Sequence, residues 1–310
     1  MNERIPVFFS TDHNYIMQTG VCILSLLESA NGAKYDINIL ISGDVTETDQ
    51  ELISKQVGHF KGHDLNFRKH GDEFSKSFVI RGISTTAYYR LLIPWMFPQY
   101  DKVIYSDVDV IFNCSLESLF NTDLKDNFYA AVPAVRLRKL KRGRDHCKHV
   151  GLNLDKYHNS GFLLINCSLQ RQVDLRQKIL ELSSKRFTYQ DQDIMNTVGF
   201  DRILSLPGKY CILPFFFNMY FKNDPDLSKY YGDKEQIDEY VKGRNCIMHY
   251  GGPKPWDIYV YGHDFWWETY RKSIFYDPTF DVRHSHDIIS QKMTYKIIFK
   301  NLFRKLLRLK

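Results

Sequence analysis

The stretch VIYSDVDVIF, residues 103 to 112, begins as a buried strand, places Asp107 and Asp109 two apart, and then turns apolar again. Two charges at the end of an apolar run need a physical reason. Side chains two apart on an extended chain share a face, so both carboxylates can address one cation. Without a cation they repel and one takes a proton; a divalent ion removes the conflict. A lone D-x-D also occurs as two solvated acids at a strand end, so its meaning depends on its surroundings.

Upstream, the chain alternates between two periods. IPVFFST (5–11) reads as a buried strand, and NYIMQTGVCILSLLESA (14–30) sets Ile16, Gly20, Ile23, Leu24 and Leu27 along one helical face. YDINILIS (35–42) alternates Ile37, Ile39 and Ile41 with polar residues, TETDQELISKQVGHF (46–60) returns to helical spacing, and DLNFRKH follows as a third strand. A further helix is expected around TTAYYRLLIPWMF before the strand DKVIYSD. Strands separated by helices imply parallel pairing and an open α/β sheet of the nucleotide-binding type. Ligands in such sheets sit beyond the carboxyl ends of the strands, where Asp107 and Asp109 fall.

The 310 residues, 44% hydrophobic and 15% aromatic, are ample for a large core. The six cysteines contain no CxxC pair, which argues against a zinc ribbon or a redox motif and for buried thiols. No window reads as a membrane span or a signal peptide, so a cytoplasmic location with reduced cysteines is expected. The net charge of +6 is unevenly distributed, and anionic partners are expected.

Three further clusters accompany the D-x-D: HNSGFLLIN (158–166), YQDQDIMN (189–196) and IMHYGGPKPW (247–256). His249 follows an expected strand, and an imidazole joining two carboxylates makes a mixed set suited to Mn²⁺, with Mg²⁺ less favoured. A strand-end histidine is otherwise a common structural hydrogen-bonder.

Taken in order, FFSTDHNY, STTAYYRLLIP, YSDVDVIFN, NSGFLLIN, YQDQDIMN and HYGGPKPW resemble the motifs of glycosyltransferase family 8 across residues 5 to 260. The resemblance implies a GT-A fold: a Rossmann-like nucleotide-binding half with a mixed sheet, here spanning residues 1–265 and followed by a C-terminal helical basic tail, 266–310. It implies a retaining transferase that takes a hexose from a UDP-sugar. Ser10, Asp12, Asn14, Tyr15, Val108, Asn159, Gly252 and Lys254 match donor-contacting positions, Asp107, Asp109 and His249 the metal ligands, and Arg90 an arginine near the donor sugar. Asp12 and Asn14 can equally cap the helix that follows. An arginine set among Tyr89, Leu91 and Leu92 needs an acidic partner.

Asp191 matches a carboxylate that accepts from sugar hydroxyls and Gln192 the residue beneath the anomeric carbon. Glutamine is a poor nucleophile, which favours same-face substitution with Gln192 stabilising the cationic ring; Asp191 is the alternative nucleophile. Two departures stand out. The loop between His249 and Lys254 is one residue shorter than the family pattern, and Ala134 stands where galactosyltransferases of the family carry a carboxylate, leaving glucose and galactose both open.

Two basic regions remain. RLRKLKRGRDHCKH (136–149) holds Arg136, Arg138, Lys139, Lys141, Arg142, Arg144 and Lys148 against Asp145 alone. It reads either as a solvated, mobile run or as a lid that recognises an anionic, phosphorylated glycan. In IISQKMTYKIIFKNLFRKLLRLK (288–310), Lys292, Lys296, Lys300, Arg304 and Arg308 recur every fourth residue beside apolar positions, the pattern of a basic amphipathic helix on an anionic membrane. The aromatic stretch 256–276 is expected to form a bed for that helix or an acceptor surface.

The expectation is a metal-dependent transferase acting on a lipopolysaccharide or lipooligosaccharide glycan at the inner face of the cytoplasmic membrane, with no nucleic-acid partner. A protein, capsular or teichoic-type acceptor is the alternative. A polyanion-binding protein with a vestigial cleft is the reading from another class. An aspartate-nucleophile phosphatase is disfavoured because DVDVIFN returns to an apolar strand instead of a Gly- and Thr-rich loop.

Overall fold

In the computed structural model, which describes residues 4–75, 77–79 and 85–287, nine strands are present among the described residues. They are β1 (Ile5–Thr11), β2 (Tyr35–Ile41), β3 (Asp64–Lys69), β4 (Lys102–Ser106), β5 (Val110–Phe112), β6 (Tyr129–Pro133), β7 (His158–Asn166), β8 (Ile203–Ser205) and β9 (Ile247–His249). Seven form one sheet in the order β3-β2-β1-β4-β7-β6-β8, while β5 and β9 pair separately. β3, β2, β1 and β4 run parallel and β7 lies antiparallel between β4 and β6. The sheet is therefore mixed, with one half, β3-β2-β1-β4, parallel.

The crossovers that make the half parallel are the helices Ile16–Glu28 and Glu47–Val57. Thr46 and Asp49 start the second with a reciprocal capping box, a local signal that needs no tertiary help. Helices cover the sheet on both sides: Val7 and Phe9 of β1 enter one core while Phe8 enters the other. In β2, Asn38 and Leu40 are as buried as Ile37 and Ile39, so the alternation there marks two covered faces instead of one wet face.

The segment expected to be a helix around residues 85–97 departs from that form. Thr85–Leu91 is a 3-10 helix and only Ile93–Met96 closes a short α-turn. β-Branched and aromatic residues crowd an α-helix, and Pro94 has no N–H to give. The basic run departs from its mobile reading too: it forms the helices Val135–Lys139 and Lys141–Val150, anchored by Leu137 and Cys147 in a small core with Ala134 and Tyr157.

The tryptophans of the aromatic stretch near the C-terminus are interior, while Ile258, Tyr261 and Tyr276 stay exposed. Trp266 is 0% and Trp267 2% exposed, and with Trp256 and Tyr270 they pack around Met248 and Tyr250. The boundary expected at residue 265 falls inside the helix His263–Lys272. Phe275 lies on the helix at Gly20, where a Cβ would stand 2.0 Å from its ring. The basic segment 288–310 lies outside the described residues.

Candidate active site

β4 ends at Ser106 and β5 starts at Val110, so Asp107 and Asp109 stand on the bend between them and not on a continuous strand. Asp107 N–H donates to Gly161 O (2.7 Å), holding the start of the bend to β7, and Tyr250 N–H donates to Asp109 O (2.8 Å). The bend lets β5 leave the main sheet. It pairs antiparallel with β9, Val110 opposite His249, which brings the imidazole to the carboxylates.

His249 Nε2 lies 3.6 Å from Asp107 Oδ2 and 3.3 Å from Asp109 Oδ1, and one donor atom from each residue falls within 4.8 Å of the others. Three features fit this trio to a divalent cation. Asp109 Oδ1 is buried and, among the described residues, has no polar contact besides the 3.3 Å approach of His249. Gly161 leaves the space above the trio open, since a Cβ there would stand 2.3 Å from His249 Cε1 and 2.5 Å from Asp107 Oδ2. Two carboxylate oxygens with an imidazole nitrogen form the donor set of a Mn²⁺-type ion, and the His249 ring is steadied from its other side by Cys211 Sγ, 3.4 Å from Nδ1.

Without a cation, protein charges balance the acids. Burial opposes ionisation of Asp109, but the ammonium of Lys254 and the imidazole of His249 outweigh it and hold the carboxyl far below its usual range. Burial likewise lowers His249 and Lys254, and Asp109 reverses the effect in both. Lys254 Nζ donates to Asp109 Oδ2 and to Tyr250 O (3.1 Å). Lys254, expected at a donor-contacting position, is therefore also the counter-ion of Asp109.

Arg90 has its acidic partners. Its guanidinium is buried, with Nη2 2.7 Å from Asp107 Oδ1, Nε 3.3 Å from Asp191 Oδ2, and Nη1 donating to Ser160 O (2.8 Å). Burial raises the Asp191 carboxyl above its ordinary value, and Arg90 only partly offsets this. Ser160 Oγ donates to Asp191 Oδ2 (2.8 Å). Asp191 and Gln192 open the helix Gln190–Val198, and Gln192 Oε1 accepts from Ser160 N–H (3.2 Å) while Nε2 donates to Tyr157 Oη (3.2 Å). Asp193, on the same helix, accepts from Tyr157 Oη (2.5 Å) and Tyr189 N–H (2.9 Å) and pairs with His146 (2.7 Å).

Asp107, Asp109, His249, Lys254, Arg90, Ser160, Asp191 and Gln192 line one cleft of about 1060 Å³, which also takes in Ser10, Asp12, Tyr15, Val108, Asn159 and Gly252, while Tyr157 and Asp193 stand behind its wall. Asp12 stands at the start of the 3-10 turn His13–Tyr15, yet its side chain caps nothing, and its Oδ1 is buried without a partner among the described residues. Asn14 is exposed on that turn and is not part of the cleft lining. The sequence reading missed Tyr157, Ser160 and Gly161 as site residues. Ser160 and Gly161 sit in the quoted NSG, and a glycine inside a strand is itself a signal of close approach.

A mixed sheet whose parallel strands end at a carboxylate–imidazole trio beside a cleft defines an α/β protein with its candidate ligand site at that edge. The chain belongs to glycosyl transferase family 8, whose family model matches residues 6–258. Among its relatives, a lipopolysaccharide 1,2-glucosyltransferase of Escherichia coli is 26% identical over 98% of this chain and 86% of its own. The lipopolysaccharide glucosyltransferase WaaO of E. coli K12 is 24% identical over 86% of this chain and 75% of its own. The fold is GT-A: the galactosyltransferase LgtC, solved with donor and acceptor sugar analogs, superposes with a TM-score of 0.73 at 23% identity, covering 89% of this chain and 99% of that one.

Proposed function

We propose that this glycosyltransferase moves a hexose, glucose or galactose, from a UDP-sugar to a lipopolysaccharide- or lipooligosaccharide-type glycan with retention at the anomeric carbon. The observation that carries the reading is the convergence of Asp107, Asp109 and His249 within 4.8 Å at the end of the parallel strands. These three would hold Mn²⁺, or Mg²⁺ in its place. Such a cation neutralises charge on a diphosphate leaving group.

The chain's own residues supply the rest. Asp12 offers an unpartnered buried carboxylate oxygen to the nucleoside. Gly252, at φ +136°, holds a backbone that other residues rarely adopt, and its missing Cβ lets the loop carrying Lys254 approach the diphosphate. Lys254 adds positive charge there. Asp191 already engages Arg90 and Ser160, which favours a hydroxyl-orienting role over attack on carbon. Gln192 Oε1 keeps a second lone pair for the ring as positive charge develops. In this same-face exchange the bond from the anomeric carbon to phosphate oxygen breaks, the acceptor oxygen bonds to that carbon, and the acceptor proton passes to the departing phosphate oxygen.

No helix among the described residues is long and apolar enough to cross a membrane. The basic pattern of residues 288–310 supports peripheral attachment to the anionic inner face of the cytoplasmic membrane, where a lipid-linked acceptor is presented. Truncation after residue 287 is expected to weaken sedimentation with anionic vesicles and to spare activity on a soluble acceptor.

The deciding experiment incubates the protein with Mn²⁺ and a panel of UDP-sugars and monitors UDP release with and without core oligosaccharide. Release from UDP-glucose or UDP-galactose that rises with acceptor supports the reading. No release from any donor, with stabilisation by heparin and none by Mn²⁺ plus UDP, overturns it in favour of a polyanion binder.

A further inference from the structure

The wall of the cleft contributed by the basic run carries charge that the donor reading does not use. Arg136 and Arg142 both line the cleft. Arg136 is half-buried, yet its one hydrogen bond is a long contact from Nη1 to Gly251 O (3.5 Å), and neither arginine has an acidic partner among the described residues. Its neighbours in the run are accounted for differently: Arg138 donates to Asp155 O (2.6 Å) and Lys139 pairs with Asp224 (2.8 Å) and Asp226. Burial and the like charge of Arg142 both push the Arg136 pKa down, so its surroundings disfavour the cation it carries.

The helix that carries Arg142 adds to that charge. The helix Lys141–Val150 begins with Lys141, Arg142 and Arg144, has no acid in its first turn, and has no side-chain cap at Leu140. Cations at a helix N-terminus oppose the macrodipole, so this turn concentrates positive charge that its own helix disfavours, while Gly143 N–H is taken by Leu140 O (3.0 Å). Asp145 and His149 also line the wall, so one carboxylate offsets part of this charge. His146 is turned to Asp193 on the helix that carries Gln192, which fixes this wall against the reacting end of the cleft.

The geometry points to an anion subsite, formed by Arg136 and Arg142 on the cleft wall, that receives a phosphate group carried by the acceptor glycan. The acceptor is thereby assigned to the phosphorylated sugars. The inference rests on the UDP-sugar reading, because the donor diphosphate is there matched by the cation and Lys254, leaving these arginines for a second anion. A guanidinium is suited to it, since its planar fork meets phosphate oxygens in pairs.

The test titrates the full chain, loaded with Mg²⁺ and UDP, with glucose 6-phosphate, inorganic phosphate and glucose by calorimetry. Saturable binding of the two phosphates and none of glucose is expected. Arg136→Gln/Arg142→Gln should weaken that binding at least about tenfold, with Arg142→Gln alone, at an exposed position, giving a smaller loss, and UDP affinity should change less than about twofold. Arg144→Gln, on the outer side of the same helix, should bind as wild type does. Equal phosphate affinity in the double variant, or none in the wild type, overturns the subsite. A parallel loss of UDP affinity in the double variant assigns the arginines to the donor and overturns the acceptor inference. Failure of the wild type to bind UDP overturns the donor reading and this one with it.

Discussion

Arg90 Nη2 lies 2.7 Å from Asp107 Oδ1, so the first acid of the D-x-D is tied to a buried guanidinium. The same group reaches Asp191, and through it the 3-10 helix Thr85–Leu91, the bend that carries Asp107 and Asp109, and the helix Gln190–Val198 share one charge network. Arg90→Ala leaves two carboxylates with no cation between them. It is expected to cost about 3–5 kcal/mol in urea unfolding and to abolish UDP release. Arg90→Lys should recover part of the stability and little of the activity, because an ammonium lacks the fork that reaches both acids and Ser160 O. Wild-type stability in the alanine variant would contradict the network.

Gly161→Ala tests the trio without touching a ligand. The added methyl enters the space between His249 and Asp107, and overpacking of this kind costs about 1–3 kcal/mol. The variant should fold, with the thermal stabilisation given by Mn²⁺ plus UDP largely lost. Undiminished stabilisation would mean that the ion binds elsewhere.

Asp109→Asn separates two roles that the sequence alone merges. The motif predicts an inactive but intact protein; the structure adds that Lys254 and His249 lose their shared anion. A fall of about 3 kcal/mol in unfolding free energy should accompany the loss of UDP release. Full transfer by this variant would sink the metal site.

His158 gives a pH signature away from the ligands. Burial first, then Arg138, lower its pKa to about 4. Its Nδ1 lies 2.9 Å from Lys156 O and Nε2 2.8 Å from Ser205 Oγ, a pattern met by the neutral ring with Nδ1–H donating. The folded state thus resists a proton that the unfolded chain accepts near pH 6.5. Stability is fully present above that pH and falls as pH drops toward 4, by about 2–3 kcal/mol from this group. Urea unfolding of wild type against His158→Gln across pH 7 to 4 should show the wild type losing that much more.

Truncation before His263 should prevent folding, since Trp266 and Trp267 complete the core behind β9. Trp266→Ala alone is expected to cost about 3–5 kcal/mol by chemical denaturation. A soluble, cooperatively unfolding fragment 1–262 would show that this helix is an accessory.

The parallel half was legible because its signals are local: the crossover helices and strands carry their own periodicity, and Thr46 with Asp49 marks a helix start by itself. The 3-10 form of Thr85–Leu91 was not, because crowding by threonines and tyrosines weakens α-helix without naming what replaces it. The choice of Asp107, Asp109 and His249 as candidate ligands followed from residue type and order along the chain. The reason they meet did not, since Asp107 and Asp109 lie on a bend whose path depends on β5 pairing with β9, segments far apart in sequence. Nor did the pairing of Lys254 with Asp109, the burial of the tryptophans, or the turning of Arg136 and Arg142 into the cleft. The amino-acid sequence by itself determined which chemical groups this protein owns and the sheet that orders them. Only the tertiary structure decided which of those groups share a charge, because Coulomb partners are chosen by distance in space, and that distance is set by packing between segments no local pattern connects.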